Sequence, residues 1–241
     1  MTRLDGKVAL VTGAARRTGK ALAHGLGARG AHVAVHYHTS RGEAERTAAE
    51  LEPAGMAVAA DLTDSAAAER MVTEVLQRWG RLDILVNNVG TFQIKPLNQV
   101  GITEWRAAIE TTVTATFIVC QAVLPHMVER NYGRIINLAD SGADKINAQP
   151  TLTPYMIGKT GVLILTRSLA AIHASRDITV NAVSPGILEN SITKPPSGQH
   201  AIPKGRYATY ADLINAVLFF LDDASSYVTG ENLKVAGGWQ L

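Results

Sequence analysis

The sequence predicts an α/β protein: a Rossmann-like, doubly wound parallel sheet with helices on both faces, in a single domain. Three observations predict it. Short apolar runs alternate with helical periodicities from end to end. The runs are continuously apolar, so both faces of each strand are to be buried, as in parallel sheets. No linker, internal repeat or low-complexity stretch divides the 241 residues, which suit one large domain.

The elements follow in order. Residues 7–11 (Lys-Val-Ala-Leu-Val) read as a buried strand, followed by glycines and a helix over 20–29. Further strands are expected over 32–36, 56–60, 82–86, 134–138, 179–183 and 232–235. Helices are expected over 41–51, 66–79, 102–129, 154–173 and 210–221. Right-handed crossovers between parallel strands then give the doubly wound sheet. The sizeable loop over 187–204 holds Pro195, Pro196, Gly198 and Pro203. It follows a strand end, where open α/β sheets bind ligands, so it reads either as a substrate lid or as an ordinary surface loop.

Composition narrows the function. Hydrophobic residues make up 46% and charged residues 18%, which suits a packed core. With 23 basic and 21 acidic residues and no basic run, neither a nucleic-acid backbone nor an anionic membrane is an expected partner. No apolar run in the sequence approaches the roughly 20 residues of a membrane span. Residues 1–7 lack the apolar core of a signal peptide, so a cytoplasmic location is expected. The single cysteine, Cys120, has apolar neighbours and reads as an inert helix residue.

Thr12-Gly13-Ala14-Ala15-Arg16-Arg17-Thr18-Gly19 lies between the first strand and the first helix. Gly13 permits the tight turn, and Gly19 lets the helix pack close, its N-terminus facing a pyrophosphate. Tyr155-Met156-Ile157-Gly158-Lys159 is a YxxxK motif, which on a helix puts phenol and ammonium on one face. Lys159 is expected to stabilise the phenolate and lower the Tyr155 pKa, making Tyr155 a proton donor near neutral pH.

In this order the motifs resemble the short-chain dehydrogenase/reductase family, whose turn is TGxxxGxG. Arg17 stands where the family's middle glycine usually lies, and can face the 2′-phosphate of NADPH with its planar fork. Dehydrogenases that use NAD place an acidic residue at the end of the second strand. Here that end is His36-Tyr37-His38-Thr39-Ser40, with no carboxylate until Glu43. NADPH is therefore the expected cofactor, with His38 and Ser40 joining Arg17. His36-x-His38 lacks a nearby third ligand, so no metal is expected.

The resemblance further implies that Asp61 and Leu62 hold the adenine. It puts Asn88 and Gly90 of Asn87-Asn88-Val89-Gly90 beside the cofactor, together with Thr18, Tyr37, Pro185 and Gly186. It gives Lys159 the nicotinamide ribose, and it implies a homotetramer joined through the long helices.

Two positions depart from the family. Asp140, with Ser141 adjacent, stands in place of the catalytic serine, and the spacing to Tyr155 is longer, so an insertion is expected within 143–153. Thr112 replaces the asparagine that supports a water relay to the lysine. The turn, the His36–Ser40 strand end and Asp140 resemble the pteridine reductases, in which the residue matching Phe92 stacks on the pterin ring.

A carboxylate favours reduction of C=N over C=O, because an iminium is positive while a ketone oxygen gains negative charge. The leading expectation is NADPH-dependent reduction of a dihydropterin or other cyclic imine. The alternatives are a ketone or 3-oxoacyl reductase working with Ser141 and Tyr155, and a non-catalytic NADPH-binding regulator.

Overall fold

The computed structural model describes residues 2–240. Seven strands form one sheet in the order β3-β2-β1-β4-β5-β6-β7, every neighbouring pair parallel. They are β1 Val8–Val11, β2 His32–Tyr37, β3 Met56–Ala59, β4 Ile84–Asn87, β5 Gly133–Leu138, β6 Ile178–Pro185 and β7 Asn232–Val235. The helices are α1 Arg17–Gly27, α2 Arg41–Ala49, α3 Ser65–Trp79, α4 Ile102–Ile109, α5 Ala115–Arg130, α6 Thr153–His173 and α7 Tyr210–Leu221.

β1 shows why the sheet is covered on both sides. Ala9 and Val11 face one core with Leu22 and Leu26 of α1 and Leu213 and Val217 of α7. Val8 and Leu10 face the other with Met71 and Val75 of α3 and Val119 and Val123 of α5. A continuous apolar strand is what two such cores require. Strand order reverses between β1 and β4, and the crevice beyond their C-terminal ends is where this architecture receives ligands.

Two of the boundaries that shape the site differ from the expectation. α1 begins at Arg17 rather than near Lys20, because the glycine turn closes within a few residues. The single helix expected over 102–129 is two helices joined by a π-turn, Glu110–Thr114, which buries Thr112. The stretches Ile102–Arg130 and Thr153–His173 are long and apolar enough to cross a membrane by length and composition. Their apolar character comes instead from packing on the sheet, as Val119, Cys120 and Leu169 do.

Candidate active site

The glycine turn is built as the sequence requires. Gly13 takes φ +60, and a Cβ on Gly19 would lie 2.2 Å from the Gly13 carbonyl oxygen, so only glycine lets α1 start there. Asn88 holds the turn to the end of β4: its N–H donates to Thr12 Oγ1 at 2.8 Å and its Nδ2 to the Thr12 carbonyl at 3.0 Å. The first turn of α1 has neither a side-chain cap nor an acidic residue. Its N–H groups and the positive end of the helix dipole suit an anion.

The two arginines part company. Arg16 is extended, with φ −154 and ψ 171. Arg17 is left-handed at φ +53, a conformation costing a non-glycine residue about 1 kcal/mol. Consecutive side chains therefore leave the turn on different sides. Arg16 joins Tyr37, His38, Ser40, Asp61 and Leu62 around a cavity of about 230 Å³. Arg17 lines only the longer cleft, where its guanidinium donates to the Asn190 carbonyl at 2.9 Å. The sequence put Arg17 with His38 and Ser40; in the structure it is Arg16 that shares their cavity, while Arg17 lines the longer cleft.

The other residues singled out for the cofactor side line the two cavities. Leu62 is buried in the smaller cavity, and Asp61 sits at its rim, bonding Thr63 and lying 3.9 Å from His38 Nε2. Asn88, Gly90, Thr18, Pro185 and Gly186 line the longer cleft, of about 740 Å³, together with Tyr155, Lys159 and Asp140. The two cavities share Gly13, Arg16 and Val89, so a dinucleotide can run from one to the other. An uncapped helix N-terminus, arginines and an acid-free strand end together fit one that carries an extra phosphate.

Tyr155 and Lys159 share a face of α6, with Lys159 Nζ 5.9 Å from the Tyr155 ring centre. Lys159 is buried and donates to the Leu138 carbonyl at 2.5 Å. Burial lowers its pKa to about 8, opposed by the charge of Asp140. The Tyr155 hydroxyl donates to Asp140 Oδ2 at 3.3 Å. Burial first, then the charge and hydrogen bond of Asp140, raise the Tyr155 pKa well above 10. The expected lowering by Lys159 is thus reversed, because burial disfavours the phenolate and the hydrogen-bonded carboxylate of Asp140 adds to that. The other oxygen, Asp140 Oδ1, accepts the Gly142 N–H at 2.9 Å and closes the turn after β5. Ser141 is buried on the cleft wall.

Phe92 is 40% exposed at the mouth and meets Tyr155 edge-on, ring centres 5.0 Å apart. Thr112 Oγ1 is buried without a protein hydrogen-bond partner. A Cβ on Gly90 would lie 3.4 Å from both that oxygen and Lys159 Nζ. The sequence reading missed Arg16, and also Trp239 and Gln240, which bring the chain's end into the cleft wall. Segment 187–204 overhangs this cleft through Ile192, Thr193 and Lys194. The bridge pairing Leu188 with Ala208 closes its base.

A family model described as enoyl-(acyl carrier protein) reductase matches residues 13–240. The 3-oxoacyl-(acyl-carrier-protein) reductase of Escherichia coli is 35% identical over 243 residues, 98% of each chain. Its Staphylococcus aureus counterpart is 36% identical over 244 residues, again 98% of each. A solved gluconate 5-dehydrogenase from Burkholderia cenocepacia, in complex with NADP and tartrate, superposes with a TM-score of 0.90 at 31% identity, covering 98% of this chain and 96% of that one. A putative short-chain alcohol dehydrogenase from Sinorhizobium meliloti gives 0.88 at 32% identity, covering 98% and 97%.

Proposed function

The chain belongs to the short-chain dehydrogenase/reductase family, and on that footing we propose that it is an NADPH-dependent reductase of carbonyl compounds, of the 3-oxoacyl class. One observation carries the choice of substrate. Asp140 Oδ1 accepts the Gly142 N–H, so the carboxylate closes the turn and leaves Ser141 on the cleft wall as the neutral hydroxyl for a carbonyl oxygen. The reductases named above, alike over nearly the whole chain, support the same class.

The bound cofactor supplies a hydride from its nicotinamide to the carbonyl carbon. The C=O electron pair passes to oxygen, and Tyr155 Oη gives that oxygen its proton. Because Asp140 and burial hold Tyr155 protonated, the donor form is present at neutral pH. Lys159, with Nζ near the ring, carries the positive charge that steadies the phenolate left behind. A proton from solvent restores it, so one ketone, one NADPH and one proton give one alcohol and one NADP⁺. Arg16, His38 and Ser40 take the 2′-phosphate, the α1 N-terminus and Arg17 the pyrophosphate, and Lys159 the ribose. The segment 187–204 closes over the substrate as a lid.

A second reading, reduction of the C=N bond of a dihydropterin or cyclic imine, is favoured by Asp140 Oδ2 at 3.3 Å from Tyr155 Oη. That oxygen could stabilise an iminium, and Phe92 offers a face to a flat ring. The enzyme works in the cytoplasm as a homotetramer; exposed Phe117 on α5 and exposed Ile157, Ile164 and Ile172 on α6 support such a contact. Ser141→Ala tests the carbonyl reading. It should lower kcat/KM for a ketone about tenfold or more and leave a cyclic imine unaffected. Equal ketone turnover in variant and parent would remove Ser141 from the mechanism.

A further inference from the structure

His36, on the wall of the smaller cavity, is a motif residue to which the proposed function gives no role. It ends up at 2% exposed, its ring beneath the glycine turn. Nδ1 accepts the Gly13 N–H at 2.9 Å. Nε2 lies 3.1 Å from the Ala60 carbonyl, and since a carbonyl only accepts, Nε2 carries the proton. The backbone adds a third bond, from Ala14 N–H to the His36 carbonyl at 2.9 Å. One side chain thus spans from the glycine turn to the end of β3, where Asp61 and Leu62 begin the adenosine side of the site.

We infer that His36, as its neutral Nε2–H tautomer, is a positioning residue for the dinucleotide, fixing the glycine turn against the adenosine-binding strand end. The inference rests on the NADPH reading and names a residue that reading does not use. Gly13 must take a left-handed backbone, so its N–H cannot be satisfied by a regular ladder. An imidazole is rigid enough to present an acceptor to the turn and a donor to Ala60 at once. Protonation would set an N–H against the Gly13 N–H and break the first bond.

The surroundings resist that protonation. Burial holds the ring at about 4, against 6.5 for an ordinary histidine, and the nearby His38 adds to the lowering. The other titratable or charged groups around the same cavity are Arg16 on the turn, Tyr37 on β2 and Asp61 after β3. Asp61 pairs with His38, 3.9 Å from its Nε2. Since the folded pKa is depressed, the free chain takes the proton first. The stability that the neutral ring gives the turn is therefore lost as pH falls from 6.5 towards 4.

The test uses the full chain without turnover. NADPH dissociation constants are measured by fluorescence from pH 7.5 to 4.5 for the parent, His36→Gln and His36→Phe, with circular dichroism reporting the fold. Gln can accept from Gly13 and donate to Ala60 without titrating. It should bind NADPH as the parent does at neutral pH, and its thermal unfolding by circular dichroism should be less destabilised than the parent's as pH falls from 6.5 to 4.5. His36→Phe loses both side-chain hydrogen bonds and should bind NADPH about tenfold or more weakly at neutral pH. Nitrogen NMR of the parent without cofactor should show the Nε2–H tautomer, which stands whatever the cofactor proves to be. A folded His36→Phe with parental affinity would overturn the inference. So would an Nδ1–H tautomer, or an acid loss of folding stability identical in parent and Gln variant. A parent that prefers NADH would instead overturn the NADPH reading and leave the NMR result to judge His36.

Discussion

Asp140 divides its carboxylate: Oδ1 accepts the Gly142 N–H at 2.9 Å, and Oδ2 receives the Tyr155 hydroxyl at 3.3 Å. One side chain thus shapes the turn after β5 and keeps the proton donor protonated. A serine hydroxyl at this position would bring no charge. The carboxylate shifts the balance of Tyr155 toward the acid form, and catalysis has to draw the proton from it.

Removing the phenol tests this first. Tyr155→Phe keeps the ring that Phe92 packs against and should leave NADPH affinity within about twofold. Carbonyl turnover should fall by roughly 10²–10⁴-fold, the usual worth of general acid catalysis. Steady-state kinetics with a titration of NADPH separates the two effects. Undiminished turnover would remove Tyr155 from its role.

Cofactor choice assigns the arginines. Arg16→Ala should raise KM for NADPH by about tenfold or more and leave NADH nearly unchanged, because a bidentate charge-assisted contact is lost. Arg17→Ala should weaken both cofactors alike and loosen the segment held through the Asn190 carbonyl. Comparing KM for the two cofactors in each variant checks this. The opposite pattern would return the 2′-phosphate to Arg17.

Lys159 sets the alkaline limb. Its pKa is lowered to about 8, so its ammonium is lost as pH rises through that value, and with it the charge that steadies the phenolate. The pH profile of kcat/KM should fall above about 8. Lys159→Arg, whose charge persists, should abolish that limb while lowering the plateau, since its fork cannot reproduce the contact with the Leu138 carbonyl.

Gly19 carries the turn. Gly19→Ala would drive a methyl to within 2.2 Å of the Gly13 carbonyl oxygen. It should cost about 1–3 kcal/mol of stability and weaken NADPH binding, read by thermal unfolding with and without cofactor.

Most of the frame was legible in the sequence. Continuous apolar runs fixed the parallel sheet because two cores must be filled from one strand. Gly13, Tyr155 and Lys159 were readable since a tight turn and a shared helix face depend on local spacing alone. Arg16 was not, because the side on which each arginine leaves the turn follows from one left-handed residue, Arg17, that only the folded backbone reveals. The Tyr155 shift was misread for a similar reason: the motif puts Lys159 on its helix face, while Asp140 reaches it from the turn after β5. The approach of Trp239 and Gln240 to the cleft depends on long-range packing that carries no local signal.

The most direct test of the account is the substrate preference of the unmodified enzyme. NADPH oxidation is followed with a 3-oxoacyl thioester, a simple activated ketone, a cyclic imine and a dihydropterin, and kcat/KM is compared across the four. The account predicts that the carbonyl substrates lead by at least about tenfold, some 1.4 kcal/mol in barrier. Efficient reduction of the imine or dihydropterin with negligible ketone turnover would contradict it. Asp140 Oδ2 would then act as the partner of an iminium while Oδ1 still closes the turn.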